Sequence, residues 1–201
     1  AVLPKHFPHK SGWNVENWGN EYMWLTYEDL FTGKMKYLDY VNRAYSIPMY
    51  LHIALQTDNE HGLSFWYAAS ICRHLGIGGT HPNPQVAAAH KGHMAKYRKL
   101  KLFFTQGEYF AIDERTHLHV LPDVQEAVLL LFNFTDQSVL RNGMILLPED
   151  VNLSGDLIAN GGVKLTPDRK GFLIHTVIPA RGVKVILLEQ RDRIQRTNMI
   201  W

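Results

Sequence analysis

A chain of 201 residues with 46% hydrophobic content is long enough for one sizeable domain or two small ones, each with a filled core. Its formal charge of +2 gives neither a nucleic-acid footprint nor an acidic tail, and no apolar stretch approaches the roughly 20 residues that span a bilayer. The single Cys72 excludes an internal disulfide, which fits a reducing compartment without fixing one.

Residues 1–20 carry Pro4, Pro8, Gly12 and Gly19 around Trp13 and Trp18 and read as an irregular loop. The chain opens on Ala1 rather than Met, so its start is expected to come from processing, cloning or truncation. From 21 to 45, Met23, Tyr27, Leu30, Phe31, Leu38, Val41 and Tyr45 recur at helical spacing. Pro48 bars further helix, and 49–55 reads as a buried strand. The polar Gln56, Thr57, Asp58, Asn59 and Glu60 follow at once. Asp58 or Asn59 can cap a helix running to Leu75, with Cys72 inside it as a small buried residue and Gly76 at its C-terminal αL position.

A very short extended piece is expected near Ile77. Asn83 as N-cap with Pro84 at the first helical position then starts a helix whose one face carries Val86, Ala89, His90, His93, Met94, Tyr97, Leu100 and Phe104. From Gly107 the period becomes two. Strands are expected over 109–113, 116–121, 127–134, 139–146, 162–165, 172–178 and 183–189, separated by Gly, Pro, Asn and Asp turns. Seven short strands at this spacing argue for an antiparallel sandwich with 127–134 and 183–188 at its centre. The tail over 191–201 is basic and is expected to be frayed or docked.

The fold class expected is thus α+β, with helices and short strands from the end of a (β/α) barrel over 1–106 and a β-sandwich over 107–190. In such a barrel the strand's C-terminal end is the functional rim. Asp58 and Asn59 stand there: a carboxylate and an amide can together hold a sugar hydroxyl, while Asp58 can equally serve as the helix cap. His81 follows the second short strand and would line the same rim. Trp18 lies among Asn14, Asn17 and Asn20, an aromatic face and amides suited to a sugar ring, or else a packing anchor for the loop. His52 lies within its strand and reads as a core histidine. Phe65, Trp66 and Tyr67 read as packing.

His90 and His93 have i, i+3 spacing but no carboxylate at helical distance, and read as core or boundary residues. His117 and His119 alternate with Leu118 and Val120 and read as an outward face. The His-x-His pair of metal-binding jelly rolls is a weaker match, since Glu126 comes too late. No metal or cofactor is therefore expected. Gly76-Ile77-Gly78-Gly79 lacks the Lys of a phosphate loop and the third Gly of a dinucleotide fingerprint, and no Gly-x-Ser-x-Gly elbow occurs. Asn133-Phe134-Thr135 and Asn152-Leu153-Ser154 are formal glycosylation sequons of a kind that arises by chance.

The stretches Ile47-Pro48-Met49-Tyr50-Leu51-His52-Ile53, 65–79, and Lys96-Tyr97-Arg98-Lys99-Leu100 leading into Gly107-Glu108-Tyr109 carry a family likeness. In layout the chain resembles the C-terminal end of retaining α-galactosidase-like glycoside hydrolases, a (β/α)₈ barrel joined to an antiparallel sandwich. The resemblance implies a carbohydrate ligand, α-linked, and places the catalytic carboxylates on central barrel strands before Ala1. This chain then supplies no catalytic residue and only rim contacts at Asp58, Asn59, His81 and Trp18. Barrel strands left without neighbours imply association through residues 20–80 or a rearranged fragment. The competing reading is a non-catalytic sugar-binding or interaction module built on 107–190, with Tyr109, Phe110 and Phe172 as its exposed aromatic face.

Overall fold

The computed structural model describes residues 24–25, 49–54, 56, 58–151, 153, 157–159, 163–165 and 171–190. The chain divides into two compact units, Ala1–Thr105 and Gln106–Trp201.

In the first unit, β1 (Trp24–Leu25), β2 (Met49–Ala54) and β3 (Cys72–Gly78) form a parallel sheet in that order. Parallel neighbours need a crossover, and here it is the helix α1 (Leu63–Ile71) between β2 and β3. All nine residues of α1 are buried, as suits a helix that carries no charge and only Ser64 and Ser70 as hydroxyl side chains besides Tyr67. It packs on β2, on β3 and on α2 (Pro84–Thr105), and α2 also packs on β3. Asn83 starts α2 as expected: its Oδ1 accepts from Gln85 N at 2.9 Å and its carbonyl from Ala87 N at 3.0 Å. An aromatic seam joins the helices, with Phe65 edge-on to Tyr97 at 5.9 Å and Tyr97 stacked on Phe104 at 5.5 Å.

Two expectations are corrected in this unit. Trp24 and Leu25, read as helical, pair with His52 and Ile53 in a parallel ladder. The helix expected to reach Leu75 stops at Ile71, and Cys72 opens a strand in register with Met49. Non-local pairing with β2 overrides the helical spacing that Leu75 shares with Ile71. The rest of 1–48, including Trp18, lies outside the described residues.

The second unit is two antiparallel sheets. One has the order β4 (Glu108–Asp113), β5 (Thr116–Leu121), β6 (Glu126–Asn133), β11 (Gly182–Gln190), β8 (Leu157–Ala159). The other has β7 (Val139–Leu146), β10 (Gly171–Ile178), β9 (Val163–Leu165). Leu118, Val120, Leu129, Leu131 and Ile186 of the first meet Phe172, Ile174 and Ile178 of the second in one core. That is a sandwich, and β6 is central, as its unbroken aliphatic run indicates. None of the described residues after Thr105 is helical. β8 was not expected; it is three residues long and has no alternation to reveal it.

The alternation of β5 holds, but its second face is not the solvent face expected. His117 and His119 are fully buried, and every residue of β6 is buried too. Rings gather on that face: Tyr109 lies 5.4 Å from His117 and 5.1 Å from His119, and Phe132 lies 5.0 Å from His117. Phe172, read as an exposed aromatic, is also fully buried, while Tyr109 and Phe110 are half-buried.

A single amide closes the corner between the sheets. Asn133 Nδ2 donates to Gln137 O at 2.8 Å, Pro179 O at 2.8 Å and Ile178 O at 3.3 Å, and its Oδ1 accepts from Thr135 N at 3.0 Å. Arg181 N donates to Thr135 O at 2.9 Å, and its guanidinium pairs with Asp136.

Candidate functional site

The site candidates follow the C-terminal ends of β2 and β3. Gln56 comes just after β2, and the turn after β3 lies against it: a Cβ added at Gly79, where φ is +72°, would stand 2.0 Å from Gln56 Nε2. The positive φ favours glycine there. The loops 58–62 and 79–83 therefore leave the sheet on the same side.

Asp58 is buried. Its two oxygens accept from the first-turn amides of α1, Oδ1 from Ser64 N at 3.2 Å and Oδ2 from Phe65 N at 3.3 Å. The carboxylate thus caps the helix from a distance of six residues and also sits at the positive end of its dipole. His90, buried on α2, brings Nε2 to 3.4 Å from Asp58 Oδ2 and 3.2 Å from Asn59 O. Both neighbours are acceptors, so Nε2 carries the proton. Asn59 is half-buried, and its Oδ1 accepts from His61 N at 3.1 Å. His81 is half-buried, with Nδ1 accepting from Asn83 N at 3.0 Å and its ring edge-on to His90 at 6.0 Å.

Asp58, Asn59 and His81 are thus gathered around one residue, His90. From the sequence His90 reads as a core or boundary residue; the structure buries it and adds this role. One turn along α2, His93 repeats the pattern. Its Nδ1 lies 3.2 Å from Trp66 Nε1, a group that can only donate, and its Nε2 lies 2.8 Å from Glu60 O. His93 is therefore the neutral Nε2–H tautomer, an acceptor to α1 and a donor to the loop. Burial lowers its pKa below 6.5; the bond to Glu60 and the charge of Asp58 act against this, and His90 and Lys96 act with it. Gly62, at φ +64°, lies under the ring: a Cβ there would meet His93 Cδ2 at 2.7 Å.

The i, i+3 spacing of His90 and His93 was the visible signal. What it lacked was the partner, a loop some thirty residues earlier in the chain. Among the described residues no three His, Cys, Asp or Glu side chains are placed to hold a metal ion, His117 and His119 included. No helix of the described residues is long and apolar enough to cross a membrane.

No family model matches the chain, and no curated protein matches it in sequence. Among solved structures, it is similar to the GH36 alpha-galactosidase AgaA from Geobacillus stearothermophilus in complex with stachyose. That match has 12% identity and a TM-score of 0.45, over 72% of this chain and 22% of that one. AgaA in complex with 1-deoxygalactonojirimycin gives 11% identity and a TM-score of 0.41, over 71% and 21%. A trehalose-6-phosphate hydrolase from Bacillus licheniformis gives 19% identity and a TM-score of 0.33, over 52% and 18%. The chain spans about a fifth of the length of these structures.

Proposed function

We propose that this chain is the C-terminal part of a carbohydrate-active glycoside hydrolase acting on α-linked sugars, with the catalytic carboxylates on barrel strands outside it. The observation that carries the reading is the parallel unit β2–α1–β3, whose strands deliver the loops 58–62 and 79–83 to one side. That is the arrangement by which a barrel presents its rim, and the sandwich that follows suits such an enzyme. Asn59 and His81, half-buried, offer an amide and an imidazole to sugar hydroxyls, and Trp18 offers an aromatic face for stacking. Asp58 enters from behind, fixing the loop that carries Asn59. Association through residues 20–80 is part of the same proposal, because parallel strands at a sheet edge call for a cover.

The test is hydrolysis of nitrophenyl α-galactosides. A longer gene product that restores upstream strands should turn over, and this chain alone should not. Robust turnover by the chain alone would refute the assignment of the catalytic pair. A second reading, an interaction module, is favoured by the outer face of β7 and β10, where Leu140, Met144, Leu146, Leu173 and Val177 are exposed. Glycan or protein binding abolished by Met144→Lys would promote it.

A further inference from the structure

We propose that His93 is a positioning residue that holds the loop 58–62 against α1 only while its Nδ1 is unprotonated, so that acid separates the loop carrying Asp58 and Asn59 from α1. The consequence for ligand binding rests on the sugar-rim reading above; the latch does not.

The argument starts from a donor that cannot change role. Trp66 Nε1 always carries hydrogen, and Trp66 is 1% exposed. At 3.2 Å from it, His93 Nδ1 is an acceptor at neutral pH. A proton on Nδ1 sets two N–H groups against each other and leaves a buried indole N–H without its acceptor. Meanwhile Nε2–H keeps its 2.8 Å bond to Glu60 O, which a positive ring strengthens. The ring is then repelled by α1 and held by the loop. It cannot move into the loop, because Gly62 has room for no more than a hydrogen beneath it, and Phe65 of α1 stacks at 6.1 Å on its face. Relief comes from separating the loop, with the ring, from α1.

The charged surroundings set where this happens. On α2, His90 at 6.1 Å between ring centroids and Lys96 oppose a proton on His93. In the loop, Asp58 favours it; Glu60, whose carboxylate lies 3.7 Å from His61, is exposed. α1 carries no Asp, Glu, Lys, Arg or His. His81 is linked to the group through its contact with His90. Burial dominates, so the latch opens below pH 6.5 and stays shut above it.

Nitrogen-detected NMR on the full chain, without ligand, from pH 7.5 to 5 tests this. The Trp66 indole signal is assigned by its loss in Trp66→Phe. It should move upfield, in the direction of a lost hydrogen bond, with the midpoint of the His93 ring nitrogens. The amides of His61 and Gly62 should follow at that midpoint. An indole signal that stays flat while His93 titrates would overturn the proposal, as would an Nδ1 already protonated at pH 7.5. His93→Asn offers Trp66 an acceptor that takes no proton in this range, so its indole should be insensitive to pH; an indole that still titrates also overturns the latch. D-galactose added at pH 7.5 and 5.5 separates the readings. An intact latch with no galactose response counts against the sugar rim alone, and equal binding at both pH values with the latch open refutes the positioning role.

Discussion

Removing the carboxylate of Asp58 should cost the first unit more than an ordinary helix cap. An exposed N-cap replaced by Ala loses about 0.5–2 kcal/mol. Asp58 has no exposed side-chain surface, and its oxygens serve two backbone amides at 3.2 and 3.3 Å and stand 3.4 Å from the His90 donor. Asp58→Ala therefore leaves buried donors that water does not reach, each worth about 1–3 kcal/mol when unsatisfied. These losses overlap, since relaxation of the loop relieves them together, and the expected total is about 2–4 kcal/mol. Asp58→Asn keeps one acceptor oxygen for one of the two amides and turns its NH₂ toward the other, so about half of that loss is expected. Urea denaturation followed by Trp fluorescence reports the change as a shift in midpoint at constant slope. A loss under about 1 kcal/mol for the Ala variant, within the range of an exposed cap, would refute the claim that the carboxylate anchors this loop.

His119 is neutral when buried, its pKa held down to about 3 by loss of solvent, and the unfolded chain takes the proton near 6.5. The sandwich should therefore keep its full stability above pH 6.5 and lose about 1.4 kcal/mol per pH unit on the way down to 3, which hydrogen exchange at β5 amides would read; a flat profile from pH 7 to 5 would refute it. Gly62→Ala should destabilise the first unit by about 1–3 kcal/mol, since positive φ and the His93 ring both oppose a Cβ there; a neutral effect in urea would show that the ring moves aside freely. The Asn133 amide is buried and bonded, so the chain made in a glycosylating host should carry no glycan at Asn133, and intact mass with peptide mapping checks this. In light scattering the chain should be larger than a monomer, and a clean monomer would count against association through residues 20–80.

What could be read from the chain was what is decided locally. Asn83-Pro84 announces α2 because the cap and the ring constraint act within one turn. β6 runs aliphatic and so reads as central, whereas β10 carries the apolar Leu173 and Val177 on its exposed face and reads only as a strand. Partners far along the chain leave no such mark. Cys72 to Gly78 becomes a strand only because β2 is beside it, and Trp24 because His52 is. Alternation put His117 and His119 on the face opposite Leu118, yet it says nothing of whether that face is covered. At the site, the capping role of Asp58 was open to inspection in the sequence. Its contact with His90, and the grip of His93 on Glu60, were not, for they join residues about thirty positions apart.

The corner amide of Asn133 has a consequence for how the sandwich opens. Its side chain ties the turn at 135–137 to the carbonyls of Ile178 and Pro179, forty-five and forty-six residues on, and Arg181 fastens the same two stretches from the other side. Neither turn can then fray alone, because each supplies the other's hydrogen bonds. The two turns at this corner should behave as one cooperative foldon, with amide protons at both exchanging through a single shared opening rather than as two independently breathing loops.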